Sequence, residues 1–180
     1  MAKEIKNENQ QAVAEAVSKT DLFFNENKKA IIICAAVAVV VFVGLFLFQK
    51  FVYIPQRAEA LEQLYPAETV FMMDKDYELA LNGNDDIMGF AAVIDQYGKK
   101  AGAAAYLYAG ICELQLGDFE SAISYLKKYN GKDPILAARA EACKGDAYVG
   151  LGDYQKAVAC FEKAVATADN VFAATYLLKA

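Results

Sequence analysis

Leu116-Gly117-Asp118-Phe119 and, 35 residues later, Leu151-Gly152-Asp153-Tyr154 are the stretches that decide the fold. The echo continues beyond them. Three residues after each aromatic stands Ala122 or Ala157, and four further stands Leu126 or Phe161. Each position has a physical task. A glycine closing an apolar run adopts the left-handed backbone that ends a helix. The aspartate after it accepts hydrogen bonds from the free N–H groups opening the next helix. Gly110 with Ala122, and Gly145 with Ala157, are small enough for paired helices to approach closely, and Phe119, Tyr154, Leu126 and Phe161 fill the space around that contact. Asp133-Pro134 adds a capping residue followed by proline at the first helical position. The spacing predicts helix–turn–helix pairs that stack at a fixed period.

Period and residues together resemble the tetratricopeptide repeat. Glu113 stands where that family usually has tyrosine on the first helix, and Tyr148 fills the position in the second unit. Pro134 closes the first unit, Asp169 holds the matching place in the second, and Phe172 to Ala180 reads as a third opening helix or a cap. Repeat arrays bind partners on the concave face, lined by the first helix of each pair. That face is expected to show Ala104, Leu107, Ile111, Leu114 and Gln115 in the first unit. In the second it is expected to show Arg139, Ala142, Asp146, Val149 and Gly150. The Lys/Asn clamp of chaperone-binding family members is absent, since Leu107, Ile111, Ala142 and Asp146 occupy the face instead. An apolar groove of this kind suits an amphipathic helix or an unfolded apolar segment of a partner. The alternative is that the chain's own helix over 56–81 fills it.

Upstream, Ala30 to Phe48 is 19 residues without a charge. A helix of that length crosses roughly 30 Å of hydrocarbon. Gln49-Lys50-Phe51-Val52-Tyr53-Ile54-Pro55 follows, with no small-residue cleavage pattern, so the helix reads as a retained anchor and not a signal peptide. Lys19, Lys28 and Lys29 before it, against Lys50 and Arg57 after it, place the N-terminus inside. Phe23 and Phe24 read as interfacial anchors, and Ala30, Cys34 and Ala38 form a small-residue stripe for contact with another transmembrane helix. The expected organisation is a cytoplasmic tail over 1–29, a transmembrane helix over 30–48, connecting helices over 49–102 and repeats over 103–180. Within the connector, Pro55 marks a break or helix start, Pro66 restarts or kinks the helix, and the helix runs on to about Leu81. Asn82 to Asp86 is a loop, and Gly98 ends a helix that reaches Tyr97. The fold class is therefore all-α: a single N-terminal transmembrane helix followed by a tetratricopeptide-repeat helical solenoid.

Positive signs of catalysis are lacking. The chain has no histidine, the commonest general base and metal ligand. Asp74/Asp76 and Asp85/Asp86 read as solvated loops, and no glycine-rich phosphate loop or metal-ligand spacing occurs. Cys34, Cys112, Cys143 and Cys160 read as small buried hydrophobes, with a Cys143–Cys160 disulfide as the alternative. No cofactor, metal or small-molecule substrate is expected. The 1–29 tail balances its lysines against its acids, so the whole net charge of −5 falls on the remainder. An acidic domain argues against nucleic acid and anionic headgroups.

A closer resemblance joins the layout to specific stretches. Asn27-Lys28-Lys29 precedes the anchor; Phe90-Ala91-Ala92-Val93-Ile94-Asp95-Gln96-Tyr97-Gly98 leads into Ala103-Ala104-Ala105-Tyr106-Leu107. Lys132-Asp133-Pro134-Ile135-Leu136-Ala137 and Gly145-Asp146-Ala147 follow. Over roughly residues 20 to 180 the chain resembles the YfgM-type proteins that accompany the bacterial Sec translocon. The resemblance implies a bacterial inner-membrane location, a periplasmic repeat domain, and a SecYEG-type translocon and a PpiD-type membrane-anchored chaperone as partners. The implied role is handing exported client chains to periplasmic folding factors. A scaffold for another envelope machine, such as cytochrome maturation or outer-membrane assembly, is the alternative.

Overall fold

The computed structural model describes residues 27–167 and 172–180. The 1–26 part of the tail, with Phe23 and Phe24, lies outside the described residues, as does Asp169. The chain divides into two compact units, Met1–Val52 and Tyr53–Ala180.

In the first unit, α1 spans Lys28–Phe48 and none of its residues is buried. Val, Ile, Ala and Phe follow one another with no polar face, so no side of this helix prefers water. It is long and apolar enough to cross a membrane.

The second unit is helical throughout its described regular structure. Its elements are α2 (Ile54–Thr69), α3 (Tyr77–Asn82), α4 (Phe90–Tyr97), α5 (Ala103–Leu116), α6 (Phe119–Lys128), α7 (Pro134–Gly150), α8 (Tyr154–Thr167) and α9 (Ala173–Lys179). A π-helical turn, Val70–Asp74, extends α2, and a 3-10 turn, Gly98–Ala101, precedes α5.

The capping logic reads directly off the backbone. Gly117 and Gly152 take φ of 87° and 75°, in the left-handed region. Asp118 Oδ1 accepts from the Ser121 N–H at 3.0 Å, Asp153 Oδ1 from Lys156 N–H at 3.2 Å, and Asp133 Oδ1 from Leu136 N–H at 2.9 Å. These bonds to the ionised form hold the Asp118 carboxyl below the usual range. Pairs α5–α6 and α7–α8 pack as hairpins, and each stacks on the next.

The expected close approaches are present. A Cβ built on Gly110 would meet Leu126 Cγ at 2.6 Å, and one on Gly145 would meet the Phe161 ring at 2.5 Å. Ala122 and Ala157 are buried beside them. Beyond α8, Tyr176 of α9 enters the core formed by Ala138, Ala142, Ala157, Phe161 and Ala164.

Two features of the connector differ from expectation. Pro66 does not restart the helix; α2 runs through it to Thr69. The helix also does not reach Leu81 unbroken. Lys75 adopts a left-handed φ of 55° and donates its N–H to the Val70 carbonyl, while Asp76 Oδ1 accepts from the Leu79 N–H at 3.0 Å and opens α3. A cap pair therefore replaces continuity. The 82–86 loop closes where Gly83 bridges to Met88, and a Cβ on Gly89 would sit 2.4 Å from the Gly83 nitrogen.

Candidate protein-interaction surface

The first helices of the pairs, α5 and α7, decide what the repeats present. On α5, Leu107, Ile111 and Leu114 fall on one stripe, and Ala105, Ala109 and Cys112 on the opposite one. The structure uses both. Ala105, Ala109 and Cys112 share a core with Leu64, Ala67 and Val70 of the connector and with Phe90 and Val93 of α4. Leu107 is 1% exposed and joins Leu126 of α6 and Ala140 and Cys143 of α7, with Ile111 and Leu114 packed against that cluster.

This arrangement covers much of the expected apolar stripe. Leu107 and Ala142 are buried in contacts between helices, so they hold the wall together and offer a partner little surface. Ile111 and Leu114 are half-buried for the same reason. Self-occupancy by the 56–81 segment does not explain the covering either, because that segment packs on the other face of α5. The paired helix α6 and the second repeat's α7 together cover the stripe. Of the remaining expected residues, Gln115, Arg139 and Val149 are exposed and Ala104 is half-buried. Asp146 pairs with Lys179 of α9 at 2.6 Å. Gly150 leaves room for the Phe119 ring, which a Cβ there would meet at 2.5 Å. The accessible face is thus a mixed polar surface with Ile135 and Val149 as exposed apolar points.

Electrostatics reinforce the stack. Glu141 on α7 pairs with Lys144 at 2.7 Å and with Lys163 of α8 at 2.8 Å. Burial pushes its carboxyl up, and the two lysines outweigh that and hold it below the ordinary range. Glu113, in the position the repeat usually gives to tyrosine, is shifted up by burial and then by the charge of Asp118.

No reactive chemistry gathers here. All four cysteines are free, so the Cys143–Cys160 alternative is not formed. Burial and the neighbouring Glu113 push the Cys112 thiol up to about 12, and burial raises Cys143 and Cys160 as well. Thiols in that condition stay protonated and unreactive. No group of metal-ligating side chains occurs among the described residues. On α1, Ala30, Cys34 and Ala38 are all exposed along one face.

Two structural features escaped the sequence. One is an aromatic cluster: Phe71 stacks near Tyr108 at 5.0 Å between centroids, and Phe90 near Tyr108 at 5.6 Å, with Tyr77 edge-on to Phe71 at 5.8 Å. The other is a shortened hairpin, α3–α4, whose α3 packs on α5 as α5 packs on α7. It extends the stack by one degenerate pair.

Comparison with known families agrees with this geometry. Residues 90–134 and residues 138–170 each match a profile of the tetratricopeptide repeat. The first match begins at Phe90, the first residue of α4. No curated protein and no solved structure matches the chain.

Proposed function

We propose that this protein, whose tetratricopeptide repeats indicate a scaffold for protein–protein interaction, works from a membrane on which α1 anchors it. The observation that carries the anchor is the burial of α1. Beyond Lys28 and Lys29 it is apolar to its end, yet none of its residues is buried by protein. Each large apolar side chain left in water forgoes roughly 1.5–3 kcal/mol. Lipid removes that cost for the whole helix at once. The reading extends to place: an N-terminus on the cytoplasmic side of a bacterial inner membrane and a repeat domain in the periplasm. It extends to partners: a SecYEG-type translocon, a PpiD-type membrane-anchored chaperone and the exported clients that pass between them. Support comes from the order of tail, anchor and acidic repeat domain, and from Lys28-Lys29 just before the apolar run.

Two experiments test it. The full chain should stay in the membrane pellet under alkaline extraction, and a phosphatase fused after Ala180 should be active because that reporter needs export. Release into the supernatant removes the anchor, and an inactive fusion beside an active cytoplasmic reporter reverses the topology. Mild detergent copurification then decides the partner. Translocon subunits support the export role, whereas components of another envelope machine replace it.

A further inference from the structure

The helix α2 has two apolar faces, and the domain covers one. Ala60, Leu64 and Ala67 are buried. On another side Ile54, Ala58, Leu61, Tyr65 and the half-buried Glu68 follow one another at alternating steps of four and three. Ile54, Leu61 and Tyr65 are 54%, 48% and 69% exposed. A repeat averaging 3.5 residues per step is the seam of a two-stranded coiled coil, with Ala58 and Tyr65 at the a positions and Ile54, Leu61 and Glu68 at the d positions. An exposed stripe that is apolar over Ile54, Ala58, Leu61 and Tyr65 marks an interaction surface.

We propose that α2 pairs in parallel with α2 of a second copy of this chain. Charge selects that occupant. In this register Arg57 falls at a g position and Glu62 at the following e position. In a parallel pair each g residue meets the e residue five positions later on the other helix, so two copies form two Arg57–Glu62 contacts. An antiparallel pair sets g against g and e against e, which brings like charges together. Both residues are exposed, and neither forms an ion pair within the described chain. Neighbouring polar groups on the domain side are engaged instead: Gln56 accepts from Lys100, and Glu59 faces Tyr97. Glu68 places a carboxylate in the seam, which costs affinity and fixes register. The pair is therefore weak and reversible. It requires neither the anchor nor the groove.

The test uses the full chain in detergent micelles and in lipid vesicles, with Cys34→Ser and Cys160→Ser to remove the accessible native thiols. Leu61→Cys should give a disulfide-linked species of twice the chain mass under mild oxidation. Gln63→Cys, on the opposite side of the helix, should stay monomeric. Adding Arg57→Glu should cut the linked fraction about tenfold by turning two attractions into two repulsions. Adding Glu62→Arg to that variant should restore it. These side chains are exposed, so melting should stay at the parent value; Tyr65→Cys serves if Leu61→Cys fails to fold. Equal behaviour of positions 61 and 63, a crosslink to a protein of a different mass, or failure of the charge swap to rescue would overturn self-pairing.

Discussion

Gly145→Ala puts the stacking geometry at risk with a single methyl group. The new Cβ would stand 2.5 Å from Phe161 Cε1 and 2.8 Å from Cδ1 and Cζ. Carbon atoms prefer about 3.5–4.0 Å, so the ring must retreat by about 1 Å. It has nowhere to go: Phe161 is 1% exposed among Ala138, Ala142, Ala164 and Tyr176. Overpacking a dense core costs about 1–3 kcal/mol. Against that, alanine gains about 1 kcal/mol over glycine inside a helix. At the middle of that range the clash wins by about 1 kcal/mol, a fall in melting temperature of about 3–6 °C for a domain of this size. The assay is thermal and denaturant unfolding of the 53–180 domain, with Phe161→Leu as the second arm of a double-mutant cycle. Relief of the clash predicts that the double variant loses less than the sum of the singles. A Gly145→Ala protein as stable as the parent, or more stable, would show that α7 and α8 do not pack as described.

Three further outcomes follow from the same packing. Ala157→Leu adds three carbons at a position 2% exposed and should cost about 1–3 kcal/mol, read from the unfolding midpoint; a melt within error of the parent contradicts the pairing. Ile111→Asp should destabilise the domain itself by about 2–4 kcal/mol, because α6 and the second repeat's α7 cover that stripe, and unchanged melting with unchanged partner capture would place the packing elsewhere. The depressed Glu141 carboxyl contributes stability above the ordinary carboxylate range, about pH 4.3, which is lost as pH falls through its lower folded value. Glu141→Gln should therefore narrow its gap from the parent as pH drops from 6 to 3, and a constant gap would contradict the Lys144–Glu141–Lys163 arrangement.

What the chain discloses before folding depends on how local the signal is. Gly117, Asp118, Ala122 and Leu126 sit within ten residues, so turn, cap, contact and filler are visible together. The apolar run of α1 is equally local. The break at Lys75-Asp76 was less visible, because a lysine in the left-handed region carries no composition cue; Asp76 three residues before Leu79 was the available sign. The aromatic cluster draws Phe71, Tyr77, Phe90 and Tyr108 from four separate segments, and no spacing announces it. Periodicity finds the apolar faces of α5 but cannot say which of them meets the chain itself. Both do, one against the connector and one against α6 and the second repeat, leaving Arg139, Gln115 and Val149 outward.

Site-specific photo-crosslinking from the membrane-bound full chain tests the central claim most directly. A photoreactive residue at Arg139, on the accessible face of α7, is compared with one at Glu162, an exposed position on α8. A protein scaffold that binds through the first helices predicts protein adducts from Arg139, translocon or chaperone subunits among them, and few or none from Glu162. Equal yields at the two positions, or no protein adduct from Arg139 in intact membranes, would contradict the account.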